Sequence, residues 1–304
     1  LFFFKQNPPY AILSGLVGSE MCIRDRSMTA AGLDLNQAFR ISQEFEQHLL
    51  TEKVYRIEKK DLFEHIKKTI EKQFDTYTSE LYELASRLDQ LNRPVIIYIG
   101  GAPGTGKSMI ATSLATRLGI NKVISTDSIR EIMRLAFSND LLPTLFHSTT
   151  EAWKGLPMEF QSSEQLIAGY CLQANQVSLG VRAVVERTVE EGENLIVEGA
   201  HLVPFLHEIA KKEMVDAYHI PITLSIMNEK HHRERFSERG TKNLRKIENF
   251  YLERFNEIRS INEYTLSQCE ADEVEVFDNE DLDETLNLII QFSIQRLFKQ
   301  VNSE

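Results

Sequence analysis

One short segment restricts the possible folds of this chain more than any other feature. Residues 100–108 read GGAPGTGKS and directly follow an apolar run, VIIYI, at 95–99. The segment contains the pattern G-x-x-x-x-G-K-[ST], in which glycines let backbone N–H groups point inward at a phosphate chain. A buried strand before such a loop and a helix after it are typical of a nucleotide-binding α/β protein.

The loop residues have separate expected roles. Lys107 can reach the β- and γ-phosphates of a nucleotide, and the Ser108 hydroxyl can ligate Mg²⁺. A helix predicted over residues 107–118 points its positive end at the same anion. The alternative, a glycine turn that binds nothing, does not explain why strand, loop and helix follow one another in this order. The predicted ATP-binding residues are Gly101, Ala102, Pro103, Gly104, Thr105, Gly106, Lys107, Ser108 and Met109.

Downstream of Pro94, apolar runs of strand length alternate with helical patterns. Strands are predicted at residues 95–99, 122–125, 194–197, 220–227 and 274–277. Further helices are predicted at residues 128–137, 163–191, 229–239, 243–266 and 282–299. The alternation predicts an α/β protein of the P-loop nucleoside-triphosphate hydrolase and kinase class, with a parallel sheet of about five strands flanked by helices. Ligands of such sheets bind at the carboxyl ends of the strands, so residues just after each strand are candidates for the site.

The chain upstream of the sheet divides into two segments. Residues 27–92 show apolar residues at helical spacing and are predicted to form a small helical region. Residues 1–26 show neither helical nor strand periodicity, and the string MCIRD within them matches the translation of an adapter used in sequencing libraries. We interpret residues 1–26 as a non-native leader, with a disordered native leader as the alternative, and residues 93–304 as the phosphate-loop domain.

A second motif, VISTDSIREIMR, follows the second predicted strand. Ser128 and Glu131 form a capping-box pattern for the helix that comes next. Asp127, Arg130 and Arg134 share another face of that helix. Asp127 is expected near the γ-phosphate, where a carboxylate can orient an acceptor hydroxyl or help to hold Mg²⁺, and Arg130 can bind an anionic acceptor. The structural alternative makes Asp127 a helix cap and Arg130 its ion-pair partner.

A third motif, NLIVEGAHLVP, places Glu198 at the end of a predicted strand and His201 just beyond it. Many phosphate-loop proteins have an aspartate at this point that organises Mg²⁺. Glutamate is one methylene longer, so we expect Glu198 to act through a water molecule. His201 either faces the acceptor or is a hydrogen-bonded loop histidine, and both alternatives stay open.

Two further segments carry candidate residues. HHRERFSERG places Arg235 and Arg239 four residues apart on one helix face. Such arginines can close over a transferring phosphoryl group, whose charge spreads over its oxygens, although a solvated helix with Glu–Arg pairs has the same pattern. The segment LFHSTTEAW holds the single tryptophan of the chain among hydroxyl residues, and it either lines an acceptor pocket or packs in the core.

Composition excludes several classes of protein. The formal net charge of −11 argues against a general nucleic-acid-binding surface, which must neutralise phosphates. Outside the leader, Cys171 and Cys269 are isolated in sequence, which predicts a reducing cytoplasm rather than disulfides or a cysteine metal cluster. No apolar stretch is as long as a membrane span. We therefore expect neither a nucleic-acid nor a membrane partner, and the sequence indicates no particular oligomeric state.

Five blocks of sequence together resemble the 2-phosphoglycerate kinase family. They are IYIGGAPGTGKS, ISTDSIREIMR, HSTTEAWK, IVEGAHLVP and the run that begins ERF at residue 234, and they span residues 94–299 in the family's order. The region that begins MTAAGL at residue 28 resembles the later helices of an ATP-cone, a regulatory nucleotide-binding module. We therefore interpret residues 27–92 as a truncated ATP-cone-like region.

The resemblance implies transfer of the ATP γ-phosphoryl group to the free hydroxyl of 2-phosphoglycerate, giving 2,3-bisphosphoglycerate. ATP and Mg²⁺ are the implied cofactors, and the expected Mg²⁺ ligands are Ser108 and Asp127. The expected catalytic residues are Lys107, Asp127, Arg235 and Arg239. The expected acceptor-binding residues are Arg130, Arg134, His147, Glu198 and His201.

Two other functions stay open at the level of the sequence. The chain could be a phosphate-loop kinase for another phosphorylated acceptor, such as an inositol phosphate, a nucleotide sugar or a polynucleotide end. It could also be a regulatory protein that binds ATP without phosphoryl transfer. The presence of Lys107, Ser108 and Asp127 together argues against the regulatory protein.

Overall fold

A parallel sheet of five strands brings the predicted motifs to one edge. The structure, a computed structural model, describes residues 27–52, 59–157, 162–206, 216–237 and 245–303, so the predicted leader lies outside the described residues. The strands are β1 (Val95–Gly101), β2 (Lys122–Ser125), β3 (Leu195–Glu198), β4 (Tyr218–Ser225) and β5 (Glu275–Asp278). Their spatial order is β2-β3-β1-β4-β5, and every neighbouring pair is parallel. This arrangement confirms the predicted α/β fold.

Some of the described helices precede the sheet, and the others lie between its strands or after the last one. They are α1 (Leu35–Thr51), α2 (Lys59–Gln73), α3 (Thr76–Ser86), α4 (Lys107–Leu118), α5 (Thr126–Ala136), α6 (Ser162–Glu190), α7 (Glu229–Ser237), α8 (Arg245–Glu253), α9 (Phe255–Asp272) and α10 (Leu282–Val301). Short 3₁₀ helices cover Leu88–Gln90, Pro143–Phe146, Thr149–Gly155 and Ala200–Phe205. Among the described helices, none has the length and apolar character needed to cross a membrane.

The described residues group into two compact units. The smaller contains residues 27–91 and 287–303, and the larger contains residues 92–286. In the smaller unit, Asp34 caps α1 through a reciprocal pair of 2.8 Å hydrogen bonds with Gln37. Ile66 and Ile70, one turn apart on α2, are completely buried, as expected for the apolar face of an amphipathic helix.

In the larger unit, the central position of β1 explains why its sequence is apolar at every residue. Strands flank β1 on both sides, with Ile97 in register with Ile196 of β3 and Ile220 of β4. Helices cover the faces, and all seven residues of β1 are buried. A strand buried on both faces reads as a continuous apolar run rather than as an alternating one.

Three predicted elements differ from the structure. The fourth strand lies two residues upstream of the predicted 220–227, at Tyr218–Ser225. The predicted cap at Ser128 is wrong, because α5 begins at Thr126 and the Ser125 hydroxyl accepts the Ser128 N–H at 3.1 Å. The single helix predicted at 243–266 is two helices, α8 and α9, separated at Arg254, whose φ and ψ of −110° and 23° are not helical.

Candidate active site

The phosphate-binding loop lies where the sequence predicts it, at the carboxyl end of the central strand. Gly101 is the last residue of β1, and Lys107 is the first residue of α4. Lys107 Nζ donates a hydrogen bond to the Ala102 carbonyl at 2.7 Å, and Thr105 Oγ1 donates to the same carbonyl at 3.0 Å. The lysine side chain therefore folds back over the loop, and its ammonium group lies beside the loop backbone.

Two glycines let this loop pack closely on its support. Gly104 and Gly106 have φ angles of 85° and 88°, in the left-handed region. A Cβ atom at residue 104 would lie 2.3 Å from the ring of Phe236, and one at residue 106 would lie 2.5 Å from Asn279 Nδ2. Asn279 Nδ2 also donates to the Thr105 carbonyl at 2.8 Å. Both conformation and space therefore require glycine at these positions.

Helix α7 supports the loop through a buried histidine. His232 is completely buried, and its Nε2 lies 2.9 Å from the Pro103 carbonyl. Arg259 Nη1 lies 3.3 Å from His232 Nδ1. Because the guanidinium can only donate, Nδ1 accepts and Nε2–H donates to the loop. Burial lowers the pKa of His232 to about 4, so the ring is neutral, in agreement with this assignment.

Arg235, on the same helix, binds the segment after β5. Its guanidinium donates to the carbonyl of Asn279 and, at 3.1 Å, to the carbonyl of Glu280. Arg235 is not among the described residues that line the cleft beside the loop. Arg239 lies outside the described residues. Closure of these two arginines over the phosphates therefore stays a prediction.

A cleft of about 380 Å³ opens above the loop. It extends from the loop to the first turns of α5 and to the hydroxyl residues 148–150. Glycine, hydroxyl and charged residues dominate its lining, which suits a polar, anionic ligand rather than an apolar one. The lining residues are Pro103, Gly104, Gly106, Lys107, Ser108, Met109, Ser125, Asp127, Arg130, Ser148, Thr149, Thr150, Glu198, Ala200 and Tyr251.

Asp127 and Arg130 enter the cleft from α5 as a loose pair. Arg130 Nε lies 3.7 Å from Asp127 Oδ1, and the exposed fractions of the two side chains are 14% and 68%. Arg130 Nη1 donates to the carbonyls of Leu145 and His147 at 2.7 and 3.3 Å. The guanidinium is thus held by backbone oxygens and by the Glu131 carboxylate, whose Oε1 accepts from Arg130 Nη2 at 2.5 Å, while the Asp127 carboxylate stays accessible from the cleft.

Ser108 and Glu198 place oxygen atoms beside the loop, where a divalent cation and its bound water can lie. Ser108 Oγ donates to Glu198 Oε1 at 3.0 Å. Burial raises the pKa of Glu198, and the nearby Lys107 ammonium opposes that shift. Mg²⁺ prefers such oxygens and takes one or two carboxylates together with phosphates and waters, so these residues fit the ion. In the described part of the chain, no group of three or more His, Cys, Asp or Glu side chains could hold a metal, so phosphate oxygens would have to complete the site.

Three of the expected acceptor-binding residues do not line the cleft. Arg134 forms an ion pair with Glu131 at 2.8 Å. His147 contributes its backbone carbonyl to Arg130, as described above. His201 is 1% exposed and hydrogen-bonded at both ring nitrogens, so the geometry favours the hydrogen-bonded loop histidine over a histidine that faces the acceptor.

Several residues of the site were not predicted from the sequence. Ser125 lines the cleft, and its place at the end of β2 was a usable signal, because ligands bind at strand ends. Tyr251 lines the cleft from α8, and Asn279 supports the loop after β5, but neither belongs to a recognisable pattern. They reach the loop only because the chain returns to it through β4 and β5.

Comparison with known proteins places the chain in a family. A family model described as an AAA domain matches residues 97–256. The chain is 36% identical over 277 residues to the 2-phosphoglycerate kinase of Methanopyrus kandleri, covering 90% of this chain and 83% of that protein. It is 37% identical over 280 residues to the 2-phosphoglycerate kinase of Methanocaldococcus jannaschii, covering 92% and 88%. A solved gluconokinase from Sinorhizobium meliloti 1021 aligns at 14% identity with a TM-score of 0.42, covering 70% of this chain and 98% of that chain. By its curated relatives, the chain is a phosphotransferase that belongs to the 2-phosphoglycerate kinase family.

Proposed function

We propose that this protein transfers the γ-phosphoryl group of ATP to the free hydroxyl of 2-phosphoglycerate, giving 2,3-bisphosphoglycerate and ADP. The observation that carries the proposal is the shared cleft of Lys107, Asp127 and Arg130, in which a phosphate-binding lysine meets a carboxylate and a guanidinium. The names of the related enzymes support this acceptor over other phosphorylated compounds.

We assign the donor nucleotide to the loop of residues 101–109. Backbone N–H groups and the Lys107 ammonium bind the phosphates there, and α4 directs its positive end at them. Mg²⁺, when bound, neutralises phosphate charge. Ser108 and Asp127 are the proposed ligands, and Glu198 is proposed to act through water, since its carboxylate lies 3.0 Å from the Ser108 hydroxyl.

In the transfer step, the acceptor hydroxyl oxygen forms a bond to the γ-phosphorus. The bond from that phosphorus to the β,γ-bridging oxygen breaks, and ADP leaves. Asp127 accepts the hydroxyl proton, for which its exposed carboxylate is suited. Lys107 stabilises the charge that spreads over the transferred group, and we propose that Arg235 and Arg239 add to this on closure.

We assign the acceptor to the other end of the cleft. The Arg130 guanidinium and the hydroxyls of residues 148–150 lie there, and they can bind the phosphate and carboxylate of a phosphorylated acid. We propose that Arg134, His147 and His201 contribute indirectly, because none of the three lines the cleft.

A panel of acceptors tests this function. The purified protein is incubated with ATP, Mg²⁺ and one of 2-phosphoglycerate, 3-phosphoglycerate, glycerate, an inositol phosphate or a 5′-hydroxyl oligonucleotide. ADP release is measured, and the product is identified by phosphorus NMR. We expect turnover with 2-phosphoglycerate and a bisphosphorylated product. Turnover only with another acceptor would reject the substrate, and nucleotide binding without turnover would indicate a regulatory protein.

Two wider assignments go with the proposal. We propose that residues 27–92 are an ATP-cone-like region attached to the kinase domain, residues 93–304. We also propose a cytoplasmic location, since both described cysteines, Cys171 and Cys269, are free thiols. Thermal unfolding of the full-length Lys107→Ala variant with and without ATP tests whether the helical region binds nucleotide, because the loop site is then weakened.

A further inference from the structure

A buried polar cluster lies directly behind the acceptor end of the cleft. Its centre is His201, in the 3₁₀ helix that follows β3. His201 Nδ1 lies 2.8 Å from Thr126 Oγ1, and His201 Nε2 lies 3.1 Å from Gln173 Oε1 and 3.4 Å from Thr149 Oγ1. Thr126 and Gln173 are completely buried. Buried polar groups cost free energy unless they are hydrogen-bonded, and here each finds a partner in the cluster.

The partners of Gln173 fix the direction of these hydrogen bonds. Gln173 Nε2 donates to the carbonyls of Thr144 and His147 at 2.6 and 3.0 Å, so Gln173 Oε1 faces the His201 ring. His201 Nε2 therefore carries the ring proton, and Nδ1 accepts the hydroxyl hydrogen of Thr126. Burial lowers the pKa of His201 to about 4, so the ring is neutral at physiological pH, in agreement with a single ring proton.

One arm of the cluster reaches Asp127. Thr126 is the first residue of α5 and directly precedes Asp127. The backbone turn after β3 presses on the same side chain, since a Cβ atom at Gly199 would lie 1.8 Å from Thr126 Oγ1. The ring of His201 and the Gly199 backbone therefore both lie close to the Thr126 hydroxyl. The start of α5, and with it the base of the Asp127 side chain, is fixed by this contact.

The other arm reaches the acceptor-binding groups. The His147 carbonyl that Gln173 binds also accepts from Arg130 Nη1, at 3.3 Å. Thr149, in contact with the ring, is one of the three adjacent hydroxyl residues that line the cleft. The cluster is thus bonded to both sides of the acceptor end, although neither His201 nor Gln173 is among the described lining residues.

We propose that His201 and Gln173 are positioning residues that hold Asp127 and Arg130 at the separation which the acceptor requires. This inference rests on the proposed function of the cleft. Neither residue touches the substrates; both act through Thr126 and the His147 carbonyl. If the cluster loosens, the acceptor hydroxyl loses its alignment with the γ-phosphoryl group, and water competes for transfer.

Two substitutions test separately the contact through Thr126 to Asp127 and the contact through Gln173 and the His147 carbonyl to Arg130. Gln173→Met removes the amide and keeps a side chain of similar length, and Thr126→Val removes one hydroxyl at nearly unchanged shape. The ratio of ADP formed to phosphorylated acceptor formed is measured together with the KM of each substrate. We expect kcat/KM for the acceptor to fall about a hundredfold in Gln173→Met, as for a small misplacement of reacting groups, and less in Thr126→Val. The KM for ATP stays unchanged, and the ratio of ADP to product rises in both variants.

The matched control is a buried histidine away from the cleft. His219 on β4 is 6% exposed, and its Nδ1 lies 3.1 Å from the Tyr98 hydroxyl, which is the same kind of contact as that between His201 and Thr126. His219→Gln should leave the ratio of ADP to product at the wild-type value. Melting temperatures of all variants show whether each one folds. If Gln173→Met does not fold, the ratio of ADP to product in Thr126→Val, the smaller change, decides the test.

The possible outcomes separate this inference from the proposed function. A ratio of ADP to product that stays at the wild-type value in the folded variants would overturn the positioning role, as would an equal rise in His219→Gln. If the wild-type protein uses another acceptor, the ratio is measured with that acceptor and decides in the same way, while the proposed substrate is rejected. A wild-type protein that transfers to no acceptor would overturn both.

Discussion

The two ends of the cleft hold their functional groups by different means. The donor end, residues 101–109, is one continuous loop whose backbone packs on Phe236 and Asn279. The acceptor end, formed by Asp127, Arg130 and residues 148–150, comes from separate elements that are joined by buried side-chain hydrogen bonds. A loop shaped by its own backbone can be recognised from a local pattern. A site assembled from distant side chains cannot, because no spacing in the sequence records it.

The largest effect is expected at the donor end, from Lys107→Ala. Removal of the ammonium should lower kcat roughly a thousandfold, as for the loss of a group that stabilises transition-state charge. The fold should persist, since Lys107 is only half-buried and its side chain donates to a loop carbonyl rather than packing in the core. Steady-state ADP release and circular dichroism measure the two quantities.

Lys122→Ala is the control for this change. Lys122 forms a surface ion pair with Glu191 at 2.6 Å, at the amino end of β2 and away from the cleft. Its removal should leave kcat unchanged. Turnover of Lys107→Ala close to the wild-type rate would refute the assignment of the loop as the phosphate site.

The sequence predicted the position of the loop and of its flanking strand and helix, but only some of the residues that line the rest of the cleft. The loop pattern, the strand before it and α4 were found because they are contiguous and have fixed periods. Asp127, Arg130 and Glu198 were found because they follow strands whose carboxyl ends meet in a parallel sheet. His201 remained ambiguous, since burial separates a packed histidine from one that faces a ligand, and its burial involves Gln173 of α6, 28 residues away in the chain. Asn279 carries no local signal at all.

Asp127→Asn tests the acceptor end at its most exposed group. The amide keeps the shape of the side chain but cannot accept the hydroxyl proton, so kcat should fall about a hundredfold. The affinity for ATP, measured by calorimetry without Mg²⁺, should change little, because Asp127 is a proposed ligand of the ion and not of the nucleotide. Asp140→Asn, at an exposed position that does not line the cleft, is the matched control. An unchanged kcat in Asp127→Asn would show that another group, or solvent, takes the proton.

Arg130→Ala should affect binding rather than the chemical step. The loss of charged hydrogen bonds to the acceptor costs about 2 kcal/mol, which corresponds to roughly a thirtyfold rise in the acceptor KM. The KM for ATP should stay the same, because Arg130 lies at the other end of the cleft. Arg182→Ala, which removes an exposed i, i+4 pair with Glu186 on α6, should change neither constant. Equal changes in both KM values would show that Arg130 does not distinguish the two ends.

The smallest expected effect is on the free energy of unfolding. It concerns the two neutral, buried histidines that lie behind the two ends of the cleft, His232 and His201. His232 supports the donor loop, and burial lowers its pKa in the folded protein to about 4, below the ordinary value of 6.5. Between these values the unfolded chain binds more protons, so the free energy of unfolding rises with pH through this window and levels off above it. From pH of about 5.5 to about 7.5, His232 should contribute about 1 kcal/mol of this rise. His232→Gln should remove that contribution in urea unfolding at the two pH values. His231→Gln should not, because the ring of His231 is exposed.

A comparison with His201→Gln separates the two ends of the cleft. We expect His201→Gln to remove a similar amount of the pH-dependent stability and also to uncouple ATP hydrolysis from transfer, whereas His232→Gln leaves them coupled. The two histidines then share a protonation state but serve different ends of the cleft. An unchanged pH dependence in His232→Gln would show that the ring does not stay neutral beneath the loop.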